Sequence, residues 1–479
     1  MTTTGLPLSF DGLNIFLIGI KGTGMTALAE VLLYLGATIS GSDVEEEFYT
    51  DSLLKRMNVD VRKFSRQNIT DDIQIVVHSA AYSKDENPEL KEAEKRGIPV
   101  VSYPEMLGHL SGLFDSSGIS GTHGKTTTTA MAGTILKVLQ LPVTVIAGSE
   151  VPTFGNRSTV TAGKKYLIAE TCEYRRHFHL FKADRIVICS VDEDHLDYYS
   201  DIEDIYDAFE QYGRNLPYMG TVIYNADDAG ALAVAERIRR RRDDLNFIPF
   251  GKNAMGRYRL LSVELREGVQ HFSLEGAGDF ELKVPGMHSV LNACGAIALA
   301  ENIAEAEGLD LSESLAERMR RALFDFRGSR RRSEVLGEAR GILFIDDYAH
   351  HPTEIKATLK GMQEFYPGRR VIADFMPHTY SRTEALIDSF AESFESADIV
   401  ILHGIYASAR EKDNRGITGK DLFNRVKENH AGVFYFEDYM EAVPFLEKNL
   451  KKGDLFLTMG AGDNWKLGKM VFNHFLKAT

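Results

Sequence analysis

Cysteine is scarce in this chain of 479 residues, which contains only Cys172, Cys189 and Cys294. Three thiols are too few for a disulfide framework, and this usage favours a reducing compartment. The N-terminus lacks the basic segment of a secretory signal peptide, so we predict a cytoplasmic location. Because no run of about 18 apolar residues occurs, we also expect no membrane span.

Positive charge is in deficit as well. Lysine and arginine total 55 against 69 aspartates and glutamates, which gives a formal net charge of −14. This balance argues against non-specific binding to nucleic acid or to an anionic membrane surface. It leaves open a local basic pocket for a phosphorylated small molecule. Repeats of fixed period and low-complexity segments are absent too, so we expect an ordinary globular protein.

Short apolar strands alternate with helical segments along most of the chain. Examples of the predicted strands are NIFLIGI, YLIAET, RIVICSV, ILFIDDY and DLFLTMG. Strands that alternate with helices predict βαβ units and parallel sheets, and hence an α/β protein. The length predicts about three domains. Breaks in the pattern place them at residues 1–110, 111–327 and 328–479.

The segment GISGTHGKTTTT, residues 118–129, contains a glycine-flanked lysine followed by threonines. The common phosphate loop, G-x-x-x-x-G-K-[ST], would have its first glycine at position 119, which is Ile119 here. The glycines nevertheless precede a predicted helix, whose N-terminus attracts phosphate. Lys125 would contact the β- and γ-phosphates, and the hydroxyl of Thr126 or Thr127 would bind Mg²⁺.

A second glycine turn follows the first predicted strand. Gly22-Thr-Gly24-Met-Thr-Ala27 fits G-x-G-x-x-A, and Asp43 follows after the next strand. This spacing is typical of a dinucleotide site, which makes an NAD-dependent oxidoreductase one hypothesis. The diphosphate of a nucleotide sugar would satisfy the same turn equally well.

Carboxylates and a histidine follow two of the central strands. Glu170 and Glu173 come after YLIAE, and an acidic run with His195 comes after RIVICSV. Because ligands bind at the carboxyl ends of strands in open α/β sheets, these groups are predicted to face the phosphate loop. Oxygen and imidazole groups suit one or two divalent cations. A phosphate loop, a metal cluster and a second diphosphate site favour a kinase or an ATP-dependent ligase over a dehydrogenase.

The last third of the chain has further charged and imidazole groups at strand ends. FIDDYAHHPTE contains Asp347 and His350, and FMPHTYSRT contains His378 and Arg382. The His-His pair of the first segment suggests a metal site as one reading. The other reading, which we favour, is contact with a substrate or nucleotide. Arg382 is suited to hold a carboxylate.

Together these motifs resemble those of the Mur ligase family, from about residue 14 to residue 463. The motifs that carry the resemblance are GIKGTGM, SGSD, GTHGKTTTT, AETCEYRRHF, DEDHLDYY, PGMHSVLNA, GSRRR, DDYAHHPTE, FMPHTYSRT and TMGAGD. The resemblance implies a Rossmann-like N-terminal domain for a UDP-sugar, a central P-loop ATPase domain and a Rossmann-like C-terminal domain. It also implies ATP-dependent joining of an amino acid to UDP-N-acetylmuramic acid through an acyl phosphate, in peptidoglycan precursor synthesis.

The resemblance assigns residues to four ligands. For ATP it implies Gly121, Thr122, His123, Gly124, Lys125, Thr126, Thr127, His288, Asn292, Arg331 and Asp347. For the UDP-sugar it implies Gly22, Thr23, Gly24, Met25, Ser42, Asp43, His78 and Ser79. For the amino acid it implies Tyr348, His350, His378 and Arg382. For Mg²⁺ or Mn²⁺ it implies Thr126, Glu170 and His195, and the catalytic set is Lys125, Glu170, His195 and Arg382.

The chain departs from the family pattern at three places. Ser289 stands where the family often has asparagine, on the adenine side. Thr379 stands where it often has arginine, which weakens a two-arginine carboxylate clamp. Several relatives carry a carbamoylated lysine soon after the metal histidine, but no lysine occurs here between Lys182 and Lys252.

Alternatives remain open on the amine substrate and on the reaction class. AETCEYRRHF, DDYAHHPTE and FMPHTYSRT favour the branch that adds L-alanine, whereas another branch adds a cell-wall tripeptide to the same UDP-sugar. An oxidoreductase would leave Gly121–Thr127 unexplained. A non-catalytic nucleotide-binding protein would be expected to lack Lys125, Glu170 or His195. The expected state is a monomer or homodimer.

Overall fold

The computed structural model describes residues 5–195, 198–407 and 415–477. Asp197, in the acidic run after RIVICSV, lies outside the described residues. The chain divides into two compact units. The first unit comprises Met1–Val191, Glu203–Arg259 and Ala293–Ala322, and the second comprises Asp192–Ile202, Leu260–Asn292 and Leu323–Thr479.

Two sheets form the framework of the first unit. The five-stranded sheet is wholly parallel, in the order β3-β2-β1-β4-β5. Its strands are β1 (Asn14–Ile18), β2 (Thr38–Ser42), β3 (Asp60–Arg62), β4 (Ile75–His78) and β5 (Val100–Ser102). The seven-stranded sheet comprises β6 (Asp115–Ser120), β7 (Val143–Val151), β8 (Arg157–Thr161), β9 (Tyr166–Glu170), β10 (Arg185–Ile188), β11 (Thr221–Asn225) and β12 (Asn246–Phe250). Its order is β12-β11-β10-β6-β9-β7-β8, and only the β7–β8 pair is antiparallel.

The second unit also contains two sheets. A three-stranded antiparallel sheet consists of β13 (Leu260–Arg266), β14 (Val269–Leu274) and β15 (Gly278–Leu282). A six-stranded sheet has the order β16-β17-β21-β18-β19-β20, with only β16 antiparallel to its neighbour. Its strands are β16 (Glu334–Ala339), β17 (Ile342–Asp347), β18 (Arg370–Phe375), β19 (Ile399–His403), β20 (Val433–Phe436) and β21 (Asp454–Met459).

The helices follow the strands in the expected alternation. Among the described residues they are α1 (Thr23–Tyr34), α2 (Asp51–Arg56), α3 (Pro88–Lys95), α4 (Tyr103–Ser111), α5 (Lys125–Val138), α6 (Ile202–Arg214), α7 (Ala229–Arg241), α8 (Met287–Ala306), α9 (Glu313–Asp325), α10 (Pro352–Phe365), α11 (Tyr380–Ala385), α12 (Ile387–Ala391), α13 (Gly419–Asn429), α14 (Val443–Asn449) and α15 (Trp465–Lys477). Short 3₁₀ helices lie at Arg66–Asn68, Pro152–Phe154, Tyr174–Leu180 and Tyr439–Ala442. No helix in the described part of the chain combines the length and apolarity that crossing a bilayer requires.

The α/β prediction is confirmed, and each of the apolar runs given above as a predicted strand contains one. The expectation of parallel pairing does not hold for β8 and β16, nor for residues 260–282, which form a separate antiparallel sheet. The turn between β13 and β14 is Glu267-Gly268, and both residues have positive φ, at 52° and 73°. Such a two-residue turn matches the twist of a hairpin, so it directs the chain straight back.

The carboxyl ends of the parallel strands hold most of the predicted site residues. Central strands such as β6, β10 and β17 are buried along their length. Their apolar side chains form the cores between sheet and helices, which fixes where each strand ends. The residues that follow β1, β6, β9, β17 and β18 are the ones described next.

Candidate active site

The loop after β6 is shaped by two glycines. Gly121 has a φ of +137°, and a Cβ there would lie 2.9 Å from the backbone nitrogen and oxygen of Ser190. Gly124 caps α5 in the left-handed conformation, with a φ of 85°. The backbone nitrogens of Thr122 and His123 donate to Ser190, to its carbonyl at 3.0 Å and its hydroxyl at 2.9 Å. The loop is therefore tied to Ser190 at the N-terminus of a 14-residue helix, a position where backbone N–H groups attract anions.

Lys125, the first residue of α5, is paired with Glu173. Its Nζ lies 3.0 Å from Oε2 and 3.2 Å from Oε1 of Glu173. The Glu173 side chain is only 4% exposed. Burial alone would lower the pKa of Lys125, but the negative charge of Glu173 raises it above its ordinary value. Lys125 is therefore a fixed cation at the mouth of the loop.

Thr126 and Glu170 place two oxygens together beside Lys125. The Thr126 hydroxyl donates to Oε2 of Glu170 at 2.8 Å. Glu170 ends β9, and a Cβ at Gly148 on β7 would overlap its carboxylate. Glycine at that position therefore gives the Glu170 side chain its space. Thr127, on the same first turn of α5, is half-buried.

The glycine turn after β1 is also as tight as the sequence suggested. Gly19 has a φ of +79°, and a Cβ there would lie 2.6 Å from the Tyr82 ring. A Cβ at Gly22 would meet nothing closer than 3.5 Å, whereas at Gly24 it would lie 3.1 Å from the Tyr103 ring. The surface at Gly22 is thus open to a ligand, whereas at Gly24 the helix α1 packs closely against the Tyr103 ring.

Asp43, which follows β2, is occupied by internal hydrogen bonds. Its Oδ2 accepts from the backbone nitrogen of Lys21 at 2.7 Å, and its Oδ1 accepts from that of Val44 at 2.8 Å. The Tyr82 hydroxyl donates to Oδ1 at 3.2 Å. Burial and the Asp43 charge raise the pKa of Tyr82 to about 12, so this hydroxyl keeps its proton. In a dinucleotide site this carboxylate must accept from ribose hydroxyls, and here its acceptor positions are largely filled.

The other residues predicted for the UDP-sugar surround this turn. The Thr23 hydroxyl lies 2.6 Å from that of Tyr49. Met25 is buried in α1. The Ser42 hydroxyl donates to the buried Glu89 at 2.6 Å, so it takes part in an internal hydrogen bond. His78 ends β4, and its Nδ1 lies 3.0 Å from the carbonyl of Ser79.

In the second unit, Arg382 is paired with Asp194. Its Nη2 lies 2.9 Å and its Nε 3.3 Å from Oδ1 of Asp194, and both side chains are 10% exposed. Burial would raise the pKa of Asp194, but Arg382, His195 and His350 hold it well below the usual range. His195 has a φ of 55°, and its backbone nitrogen donates to Oδ1 of Asp194 at 2.7 Å. A cavity of about 30 Å³, the size of one or two waters, adjoins the pair.

Tyr348, His350 and His378 cluster with Arg382. The ring centres of Tyr348 and His350 are 5.3 Å apart, and those of His350 and His378 are 6.3 Å apart. The Arg382 Nη1 donates to the His378 carbonyl at 3.2 Å. Burial lowers the pKa of His350 to about 3, so its ring is neutral near pH 7. The four residues predicted for the amino acid therefore do lie together.

The predicted ATP contacts of this unit hold the end of β17. The Arg331 Nε donates to Asp346 at 3.0 Å. Asp347 accepts from the backbone nitrogens of Ser333 at 2.6 Å and Ala349 at 2.8 Å, and burial raises its pKa. These contacts tie the GSRRR segment to the DDYAHH segment.

His288 and Asn292 lie on the first turns of α8, and both are half-buried. Burial lowers the pKa of His288. Between them, the hydroxyl of Ser289 donates to the Pro285 carbonyl at 2.8 Å. Ser289, the departure from the family pattern, thus forms a hydrogen bond to the residues just before α8. Thr379, a second departure, caps α11 with a φ of 69°, and its hydroxyl accepts from the Arg382 backbone nitrogen at 3.4 Å.

Comparison with known proteins gives a family for this arrangement. Three Mur ligase profiles match the chain in order: the family's catalytic domain at residues 14–115, the middle domain at 119–300 and the glutamate ligase domain at 331–462. This chain belongs to the Mur ligase family. Among its relatives, the UDP-N-acetylmuramate–L-alanine ligase of Treponema pallidum is 51% identical over 472 residues, which cover 98% of each chain.

Solved structures agree with this Mur ligase assignment. The crystal structure of UDP-N-acetylmuramate-alanine ligase MurC from Thermotoga maritima matches with a TM-score of 0.78 and 26% identity, over 98% of this chain and 100% of that one. A murein peptide ligase from Psychrobacter arcticus matches with a TM-score of 0.69 over 97% and 99% of the two chains. At 21% identity the second likeness concerns the fold alone. The predicted family and three-domain α/β fold are thus confirmed.

Sequence reasoning did not find the partners of the charged site residues. The sequence marks Glu173 only as a carboxylate after a strand and Asp194 only as part of an acidic run. Their positions beside Lys125 and Arg382 depend on contacts across 48 and 188 residues of sequence. Tyr82, which donates to Asp43, carries no signal in its local sequence.

Proposed function

We propose that this Mur ligase joins L-alanine to UDP-N-acetylmuramic acid and converts ATP to ADP and phosphate. The observation that carries the proposal is the 51% identity, over 98% of both chains, to the Treponema pallidum UDP-N-acetylmuramate–L-alanine ligase. The family fold and the phosphate-loop geometry support it. The reaction forms an amide bond in the synthesis of peptidoglycan precursors.

Two steps account for the chemistry. The carboxylate of UDP-N-acetylmuramic acid is a poor electrophile and must first be activated. Its oxygen attacks the γ-phosphorus of ATP, ADP leaves, and an acyl phosphate is formed. The neutral amine of alanine then attacks the acyl carbon, loses a proton and expels phosphate. The first step needs stabilisation of charge on the phosphoryl oxygens. Lys125 supplies a cation for this, and the N–H groups that begin α5 supply further positive potential.

The residues beside the loop fit a divalent cation. Thr126 and Glu170 offer a hydroxyl and a carboxylate oxygen 2.8 Å apart, and hard cations such as Mg²⁺ or Mn²⁺ prefer oxygen ligands. A cation held there would neutralise phosphate charge. His195 is the predicted ligand of a second cation, and its backbone is fixed by Asp194.

Arg382 is the proposed partner of the alanine carboxylate. Its guanidinium already meets one carboxylate, that of Asp194, and a second would have to share or replace this contact. Burial keeps the pKa of His350 at about 3, so Arg382, and not His350, provides positive charge near pH 7. Bulky Tyr348, His350 and His378 favour a small side chain. The tripeptide-adding activity is the second candidate, since a murein peptide ligase shares the fold.

The glycine turn after β1 is proposed to bind the UDP-sugar diphosphate, with the open backbone at Gly22 as the approach. NAD is disfavoured because Asp43 is already bonded to Lys21, Val44 and Tyr82. We also keep three domains at residues 1–110, 111–327 and 328–479 as part of the proposal. A cytoplasmic location fits the three free cysteines. The expected state is a monomer or homodimer without nucleic-acid or membrane partners.

A phosphate-release assay with purified protein tests the proposal. ATP, Mg²⁺ and UDP-N-acetylmuramic acid are held constant while the amine is L-alanine, glycine, L-serine or L-Ala-γ-D-Glu-meso-diaminopimelate. We expect the highest kcat/KM with L-alanine and reduced values with glycine and serine, because one small group in a pocket contributes only about 1–3 kcal/mol. Preference for the tripeptide would reject alanine but keep the ligase mechanism. If the protein bound NAD and did not bind the UDP-sugar, both the alanine assignment and the ligase mechanism would be rejected.

A further inference from the structure

A buried polar network lies under the loops that carry His378 and Arg382, and the chemistry proposed above does not use it. Its members are Asp374 on β18, His403 at the end of β19 and Asn464 just before α15. All three are 0% exposed. Charged and amide groups are rarely buried so completely without a role in fixing structure or function.

Asp374 is the centre of this network. Its Oδ2 lies 2.8 Å from Nε2 of His403, and its Oδ1 accepts from Nδ2 of Asn464 at 2.9 Å. The same amide donates to the Met459 carbonyl at 2.9 Å. The other ring nitrogen of His403 lies 3.2 Å from the Phe436 carbonyl. Asp374 therefore joins the carboxyl ends of β18, β19, β20 and β21.

The loops that follow three of these strands are bonded to one another. The backbone nitrogen of Met376 donates to Met459 at 3.2 Å, and that of Tyr406 donates to Pro377 at 2.8 Å. Thr379 donates back to Tyr406 at 3.2 Å. Gly460, with a φ of +123°, packs directly against the Met376 backbone. A shift at any one strand end would therefore move the segment that holds His378 and Arg382.

We propose that Asp374 is a positioning residue for the amino-acid site: by holding His403 and Asn464 it fixes the strand-end loops that present His378 and Arg382. The inference rests on the proposed function, since it assigns the amino acid to those two residues. Asp374 touches no substrate. It acts through the backbone of Met376–Thr379.

Stability alone does not account for the network. Replacing a buried ion pair with apolar groups of similar size is often neutral or stabilising, whereas removing one partner is destabilising. Asparagine at position 374 would be absorbed, because a neutral His403 that donates from Nδ1 to the Phe436 carbonyl can accept an N–H at Nε2. Alanine instead removes both acceptors, so the Asn464 amide and the His403 ring lose the partner that they share. The strand ends are then no longer joined through position 374.

Strands β18 and β21 also offer a matched control, at the ends opposite to the Asp374 network. Asp454 begins β21, is 1% exposed and accepts from Nη2 of Arg370, which begins β18, at 2.8 Å. Its Oδ1 accepts from Nε of Arg370 at 3.0 Å. D454A thus removes a buried carboxylate–cation contact between β18 and β21, away from the loops.

The test compares D374A, H403Q and D454A by thermal unfolding and by steady-state phosphate release at a temperature where each is folded. We expect all three to lower Tm. D374A and H403Q should raise KM for L-alanine by about tenfold or more, because small displacements of positioning groups have large kinetic effects. Their KM for ATP and all constants of D454A should stay within about twofold.

Two results are distinguishable failures. An active wild type in which D374A, H403Q and D454A change KM for L-alanine alike would overturn the positioning role of Asp374. The same holds if D374A and H403Q leave that KM unchanged. A folded wild type without L-alanine-dependent phosphate release would instead refute the proposed function.

Discussion

Replacing Lys125 with alanine should have two separable effects, one on stability and one on turnover. The Lys125 ammonium lies 3.0 Å from the carboxylate of Glu173, whose side chain is 4% exposed. Alanine would leave that carboxylate buried without its cation. Removing one partner of a buried pair is destabilising by about 3–5 kcal/mol. Because the Lys125 side chain is 19% exposed, we expect a loss of unfolding free energy near the lower end of that range, about 3 kcal/mol.

A second substitution separates the effects. In K125A/E173Q the buried charge is gone, so most of the lost stability should return. Turnover should not return, because loss of a charge-stabilising group at a phosphoryl site is typically worth about 10²- to 10³-fold in rate. E173Q alone is the control for the loss of the glutamate charge. Urea unfolding gives the free energies, and phosphate release gives the rates.

Either of two results would refute this reasoning. Equal unfolding free energies for K125A and K125A/E173Q would mean that the Lys125–Glu173 pair does not hold the loop. Near-normal phosphate release by K125A would remove Lys125 from the mechanism. Binding of UDP-N-acetylmuramic acid, measured by calorimetry, should survive in all three variants, since its predicted site is the separate glycine turn.

Replacing Gly22 with leucine should abolish calorimetric binding of UDP-N-acetylmuramic acid with little change in Tm, because the nearest atom to a Cβ there, the Gly19 carbonyl oxygen, is 3.5 Å away; unchanged affinity would contradict the assignment. Glu170→Gln should raise the Mg²⁺ concentration for half-maximal phosphate release at least about tenfold, since the change removes a negative ligand, and an unaltered titration would exclude Glu170 as a ligand. Burial would lower the pKa of His403, but Asp374 raises it above the ordinary 6.5. The stability that His403 contributes is therefore complete below that value and lost as pH rises through the folded-state pKa. The difference in unfolding free energy between wild type and H403Q should shrink over that range, and a constant difference would refute it.

Local patterns predicted the strands and the loops at their ends, because both are written in short stretches of sequence. NIFLIGI and RIVICSV form β1 and β10, and the glycines at 121 and 124 form the turn that opens α5. The antiparallel sheet at 260–282 was missed because its turn is Glu267-Gly268 and not the more usual Asn-Gly or Asp-Gly.

Side-chain commitments could not be predicted in the same way. Whether the Asp43 carboxylate is free depends on Tyr82, and whether the Arg382 guanidinium is free depends on Asp194. Each of these contacts joins segments that are distant in the sequence. Tertiary packing decides which hydroxyl or carboxylate lies beside a given site residue. The types of the site residues were therefore predictable, and their hydrogen-bond partners were not.

The hydrogen bonding of Asp43 offers a way to separate true dinucleotide sites from look-alikes. A carboxylate has about four lone-pair positions, and three of those on Asp43 already receive protons from Lys21, Val44 and Tyr82. A glycine fingerprint followed by an acidic residue is therefore ambiguous until the vacant acceptors of that residue are counted. To engineer cofactor binding into this fold one would have to begin at Tyr82, by removing its hydroxyl to vacate an acceptor, before changing any glycine.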